Sequence, residues 1–321
     1  MPESFTDISK RLFKVILEKC KNFFKTIWDD FIGFVKTNPQ YILCSIVYYI
    51  IASYFLGGLA ISFLIALLSY IISLFIAFTS LGEKLLRFFE HVRRIETKKE
   101  KDYLLPLFRE VYAQAKEKNP KLGQIELCVI DKMTVNACAL GKRTIAVTKG
   151  AIETFSPDEL KAIMAHEIAH ILYGDSMARL YTTVGNGIFT VFVLASQFFI
   201  FIAEWIERIL SKTKFSFAWI LISIGKLLFT LMLFVVQSLM KMVVAFSSRR
   251  SEFRADRYAF ELGYGKKLVD GLYLLEKMQL GSNATVIQRM TADHPRITAR
   301  IERIEVLLEE SAMQSEPLPL N

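Results

Sequence analysis

Two of the chain's four histidines stand four residues apart, in His166-Glu167-Ile168-Ala169-His170. On a helix, residues i and i+4 share a face, so both imidazoles can reach one metal ion. Glu167 lies beside them, close enough to handle a water on that ion. Zinc suits imidazole, and three protein ligands plus one water is its usual hydrolytic arrangement. The same five residues also arise by chance on amphipathic helices, so the rest of the chain must supply a third ligand.

The stretch Arg249–Ala259 offers candidates. Glu252 and Asp256 are again four apart and share a helical face. One carboxylate can ligate the metal. The other can accept a hydrogen bond from a ligand histidine's second nitrogen and fix its tautomer. Taken alone, with Arg249, Arg250, Arg254 and Arg257 around them, the two acids read as a solvated face. The four cysteines (Cys20, Cys44, Cys128, Cys138) have no C-x-x-C spacing. A cysteine metal site or a disulfide framework is therefore not expected, and a reducing compartment is.

Local chemistry starts the helix that must carry the histidines. Ser156 suits the N-cap, Pro157 N1, Asp158 N2 and Glu159 the N3 position of a capping box. Upstream, β signals run over Ile125–Ile130, Val135–Leu140 and Thr144–Thr148, with Gly141-Lys142-Arg143 as a turn. Thr144–Thr148 is expected to form a sheet edge beside the site, where an extended substrate could add through main-chain hydrogen bonds. Tyr103–Lys118 reads as an amphipathic helix ended near Asn119-Pro120, and Glu83–Lys101 as a basic helical segment.

Composition points to lipid. The chain is 53% hydrophobic, with 26 Phe, and its mean hydropathy is positive, a bias that suggests apolar surface rather than an oversized core. A net charge of +8 suits nucleic acid or an anionic leaflet, and the apolar segments favour the membrane, so no nucleic-acid partner is expected. No residue from Thr37 to Gly82 is charged. Because one span needs about 20 residues, this run holds two, with the break at Gly57-Gly58. Leu180–Ala203 is a third uncharged run, and Phe215–Ser248 a fourth apolar stretch broken by Lys226 and Lys241. Arg87, Arg93, Arg94, Lys98, Lys99 and Lys101 follow the first pair and mark the cytoplasmic side.

Before that pair, apolar residues from Phe5 to Phe34 recur at the helical period among lysines. They make a helix lying either on a membrane surface or on the catalytic domain. The expected organisation has six parts. Residues 1–36 are an amphipathic extension, and 37–82 a transmembrane hairpin. Residues 83–179 are the first part of the catalytic domain, 180–248 a second transmembrane pair, 249–311 the second part of that domain, and 312–321 a flexible tail.

His166-Glu167-Ile168-Ala169-His170-Ile171-Leu172-Tyr173-Gly174-Asp175, followed after an apolar insertion by Ser251-Glu252-Phe253-Arg254-Ala255-Asp256, resembles the M48 family of membrane zinc metalloproteases, the HtpX type most of all. Asn136-Ala137-Cys138-Ala139 stands where that family carries an Asn-Ala-aromatic-Ala motif, with Cys138 in place of the aromatic. Gly150 falls in a similar strand-to-helix passage, and His294-Pro295-Arg296 matches the family's His-Pro element. The resemblance covers roughly residues 40–305 and leaves the N-terminal extension unexplained.

It implies a mostly α fold with a small β-sheet (α+β), a gluzincin-like zincin domain with about four transmembrane helices. One Zn²⁺ per chain would be bound by His166, His170 and Glu252, with Glu167 as general base on a zinc-bound water. Asp256 would orient a ligand histidine. His294 is the candidate oxyanion donor, Arg296 its helper or a substrate contact, and Asn136 a substrate amide contact. The implied activity is endoproteolysis of misfolded or damaged membrane proteins at the cytoplasmic face of a bacterial inner membrane, in protein quality control. Two alternatives differ in class or substrate: a catalytically silent scaffold or holdase with a structural zinc site, and a CaaX-type prenyl-protein peptidase.

Overall fold

The computed structural model describes residues 5–43, 60–181, 249–280 and 297–315, with isolated positions at 46 and between 198 and 234. It opens with α1 (Phe5–Thr37), then α2 (Ala60–Ala77) and α3 (Ser80–Phe89). Next come β1 (Val92–Arg94), α4 (Lys98–Lys118), β2 (Glu126–Ile130), β3 (Ala137–Leu140) and β4 (Thr144–Thr148). The short α5 (Lys149–Thr154) leads to α6 (Pro157–Leu172) and α7 (Ser176–Leu180). After the second apolar region, residues 249–259 form α8 and Phe260–Tyr264 a π-type turn. Then come α9 (Gly265–Leu280) and α10 (Ile297–Ser315).

Among the described residues no helix is long and apolar enough to cross a membrane. The uncharged α2 has 18 residues, about 27 Å at 1.5 Å per residue, against a hydrocarbon core of about 30 Å. The Gly57-Gly58 break, residues 182–197 and most of 207–248 lie outside the described residues.

The sheet has the order β1-β2-β4-β3, with β2 and β4 parallel and the outer pairs antiparallel. This corrects the expected edge. Thr144–Thr148 is an inner strand, buried at every position, and β3 forms the edge on that side. Its edges pair with β2 and β3, and helices packed on both sides of the sheet bury both its faces, as the unbroken Ile145-Ala146-Val147 run reflects. A second correction falls at 92–94, within the stretch expected to be helical up to Lys101. His91 has φ +55°, a left-handed conformation that histidine tolerates better than most residues. The chain turns there out of α3, and Val92–Arg94 pairs with Cys128–Ile130.

The period-2 alternation of the strands divides two cores. Leu127, Val129, Ile145 and Val147 pack with α4, α6, α8, α9 and α10. Cys128, Ile130, Cys138, Leu140 and Ala146 pack with α3, α7 and the C-terminal part of α1. That part of α1 is docked rather than free. Phe34 is buried against Tyr181, with ring centroids 4.8 Å apart, and Asp30 pairs with Lys142. Farther toward its N-terminus, Phe13, Phe24 and Trp28 are exposed.

Candidate metal centre

The helix carrying the two histidines begins as its local chemistry dictates. Ser156 accepts from the Glu159 amide at 3.4 Å, and Glu159 reaches back to the Ser156 amide at 2.7 Å. Leu160, Met164 and Ile168 are fully buried, with one-turn spacing that seats the helix against the first core. The same face carries α6 against α4 and α9 and along β3. A short passage precedes it. Gly150 lies so close to the Met133 carbonyl that a side chain there would collide with it.

This seating brings three donors to one point. His166 Nε2 lies 3.1 Å from His170 Nε2. Glu252, from α8, places Oε2 3.4 Å from His166 Nε2 and Oε1 3.5 Å from His170 Nε2. All three ligand atoms lie within 4.8 Å of one another. Tetrahedral zinc with ligands near 2.0–2.1 Å separates its donors by about 3.3 Å, so the spacing fits the ion. Two neutral imidazoles and a carboxylate are also the donor set that zinc takes in hydrolytic sites.

Outer contacts hold each ligand. Asp256 Oδ1 accepts from His166 Nδ1 at 2.9 Å, and Asp175 Oδ2 lies 3.3 Å from His170 Nδ1. Gly174, at φ +77°, makes the left-handed turn that swings Asp175 back toward α6, a conformation that glycine adopts without strain. Arg254 then bonds the other Asp175 oxygen at 2.6 Å and stacks on Tyr173. Arg300, from α10, grips Asp256 and reaches Glu252 Oε2 at 3.0 Å. His166, Glu252, Asp256 and Arg300 are each at most 7% exposed.

The electrostatics ask for a cation. Burial alone would lower both imidazoles' pKa, and the adjoining carboxylates reverse that. His170, beside Asp175 and Glu252, is pushed up to about 10. His166 is raised despite its burial and the nearby Arg300, through Asp256 and Glu252. Among the described residues, Glu167, Asp175, Glu252 and Asp256 stand together with the guanidiniums of Arg254 and Arg300. With both imidazoles neutral, as ligation requires, a divalent cation would balance that set.

Glu167 stands outside the ligand triangle. Its Oε2 accepts from the main-chain amide of Ala139 at 2.7 Å, on the outer edge of β3, which no strand pairs among the described residues. The base candidate and the sheet edge are thus joined by one hydrogen bond. Asn136 precedes that edge; its side chain is exposed and its backbone amide donates to Thr148 Oγ1 at 3.0 Å. Cys138 is buried on the sheet's opposite face. His294 and Arg296 lie outside the described residues.

Two residues of the cluster were not singled out from sequence. Asp175 was signalled by the Gly174-Asp175 pair just past the helix end. Arg300 carries no local mark, because its partners lie more than 40 residues away and are set by the packing of α10.

Two histidines and a glutamate around one point, with a second glutamate beside them, form a cluster that could hold a metal ion, as a metallopeptidase centre requires. The family model described as Peptidase family M48 matches residues 99–308, and the chain belongs to that family. The metalloprotease class expected from the motifs agrees with this membership.

Similar curated proteins include "Protease HtpX homolog" of Desulfotalea psychrophila (strain LSv54 / DSM 12343). It is 27% identical over 208 residues, which cover 58% of this chain and 69% of that protein. "Protease HtpX" of Pseudomonas entomophila (strain L48) is 29% identical over 181 residues, covering 55% and 57%. "Protease HtpX" of Pseudoalteromonas atlantica (strain T6c / ATCC BAA-1087) is 26% identical over 221 residues, covering 62% and 70%. The chain thus spans between 57% and 70% of the length of these relatives. Among solved structures, S. mikatae Ste24p aligns at a TM-score of 0.45 and 18% identity, over 88% of this chain and 66% of that one.

Proposed function

We propose that the protein is a zinc-dependent endopeptidase of the HtpX type, acting at a membrane surface on misfolded or damaged membrane proteins, with its catalytic domain cytoplasmic. The observation that carries this reading is Glu167. It is buried at the rim of the ligand triangle and tied to the outer strand, where a structural metal site has no need of a carboxylate.

His166, His170 and Glu252 would hold the ion. Bound zinc supplies Lewis acidity and an acidified water. Glu167 would take the attacking water's proton and deliver it to the leaving amine, a role for a carboxylate beside the ion rather than on it. Asp256 and Asp175 keep both imidazoles turned with Nε2 inward. The free edge of β3, rather than β4, pairs with an extended substrate. Main-chain pairing there reads little side-chain identity and suits damaged proteins of varied sequence. Asn136 is then a contact at the start of that edge, and His294, with Arg296, a donor for the developing oxyanion.

The test is Glu167→Gln in the full-length protein, with zinc content and cleavage of casein and a model membrane protein read together. Retained zinc with cleavage reduced by at least about 10²-fold is expected. Equal cleavage by variant and wild type would remove the enzymatic assignment. Zinc bound without cleavage by either protein would leave the scaffold.

A further inference from the structure

Helix α8 presents a second face, away from the metal centre. Glu252 and Asp256 point to the metal centre. Arg250, Phe253, Arg254 and Arg257 lie roughly 130° around the helix at 3.6 residues per turn. With Arg303 and Leu307 of α10 they line a groove of about 350 Å³. Its floor is apolar and its rim carries four guanidiniums.

The guanidiniums are unequally engaged. Arg254 is held by Asp175 at 2.6 Å, and Arg257 bonds Glu261 through Nε at 3.1 Å. Arg303 lies over the Phe253 ring, 4.8 Å from its centroid. Among the described residues neither Arg250 nor Arg303 is paired with a carboxylate. Two planar forks, one from α8 and one from α10, therefore remain to grip an anion, and guanidinium matches phosphate oxygens two at a time. Phe253 and Leu307 beneath them suit a ligand with an apolar body behind its charge. The groove also begins at the point where the chain leaves the apolar 215–248 stretch, the place where a headgroup would meet it.

We propose that this groove binds the phosphate headgroup of an anionic phospholipid. The inference rests on the membrane location proposed above but on no step of the peptidase reaction. A phosphate held there lies on the reverse of the helix that presents Glu252. Its nearest link to the metal centre runs from Arg254 through Asp175 to His170.

The test uses full-length protein in a neutral detergent, carrying Glu167→Gln so that self-cleavage cannot interfere. Short-chain phosphatidylglycerol and phosphatidylcholine are titrated separately, with bound lipid counted by native mass spectrometry. A parallel arm adds inorganic phosphate as competitor. The proposal expects one saturable phosphatidylglycerol with little phosphatidylcholine, and at least tenfold weaker retention in Arg250→Gln/Arg303→Gln. The exposed Arg250→Gln alone should weaken it in the same direction, and zinc content, unchanged in both variants, would show the fold intact. Unaltered retention in both variants overturns the proposal. So does displacement by inorganic phosphate at matched concentration, which would make this a free-anion site. Loss of cleavage of acidic peptides by the same variants in the Glu167 background, without any change in lipid retention, would assign the groove to substrate. Separately, sedimentation of the untreated protein with membranes tests the location, so a failure there is distinct from failure of the groove.

Discussion

Arg300 holds Asp256 in a buried two-pronged pair, Nε to Oδ2 at 2.8 Å and Nη2 to Oδ1 at 2.6 Å. The pair joins α10 to α8 and leaves Asp256 Oδ1 against His166 Nδ1. Arg300→Met would strand the Asp256 carboxylate in the interior. Losing one partner of such a pair costs about 3–5 kcal/mol, which thermal denaturation of the metal-free protein would reveal. Zinc affinity, measured by competition with a chelator, should fall by about 10–100-fold as His166 loses its fixed orientation. Arg300→Lys keeps the charge but loses the fork, so it should fall between the two. Wild-type stability and affinity in Arg300→Met would mean that the pair supports nothing.

The left-handed turn at Gly174 makes a second, independent prediction. Among the described residues no atom lies within 4 Å of a Cβ placed there, so a side chain meets conformational strain rather than a clash. Gly174→Ala should cost about 1–2 kcal/mol in urea unfolding. As Asp175 moves off His170, zinc binding should weaken toward the low end of the roughly 10–100-fold range for such outer contacts. Gly174→Asn, which tolerates this conformation, should recover most of both losses. Equal effects from alanine and asparagine would place the cause elsewhere.

These two residues mark the boundary of what the sequence reveals. The histidine helix, its Ser156–Glu159 cap and the strands over 126–130, 137–140 and 144–148 were all legible, because each rests on contacts within a few residues. Glu252 and Asp256 were legible as a pair for the same reason. Sheet order was not: whether β3 or β4 forms the edge depends on β2, which arrives from earlier in the chain to pair in parallel with β4. Val92-Arg93-Arg94 looks helical by charge and becomes a strand because β2 offers it an open edge. Arg300 needed a packed α10. Its role is purely tertiary.

A third prediction concerns acid stability away from the metal. Arg93 bonds both Glu100 oxygens, at 2.6 and 3.1 Å, and also Asp131. Its guanidinium holds the Glu100 carboxyl down at about 2, against an ordinary 4.5. A depressed folded-state value stabilises the protein above about 4.5 and loses that stabilisation as pH falls toward 2. Glu100→Gln should therefore cost about 1 kcal/mol at pH 7, and the difference from wild type should fade across pH 4.5 to 2. Thermal midpoints measured across that window would check it. A gap that persists unchanged to pH 2 would mean that charge is not its source.

The candidate metal ligands can be told from the residues that would orient them. Glu252 and Asp256 both touch His166 and both touch Arg300, and they are equally buried. Spacing alone cannot say which carboxylate binds the ion. The geometry separates them. Glu252 faces Nε2 of both histidines, whereas Asp256 faces Nδ1 of His166 alone. Asp256→Asn removes an orienting acceptor and should weaken zinc by about 10–100-fold. Glu252→Gln removes a donor from a three-donor set and should exceed that range, leaving protein purified without added zinc essentially metal-free by elemental analysis. Both substitutions preserve shape and remove one charge beside Arg300, so a generic loss of folding would affect them alike. The order of the two zinc affinities therefore reads out the assignment, and a larger loss for Asp256→Asn would reverse it.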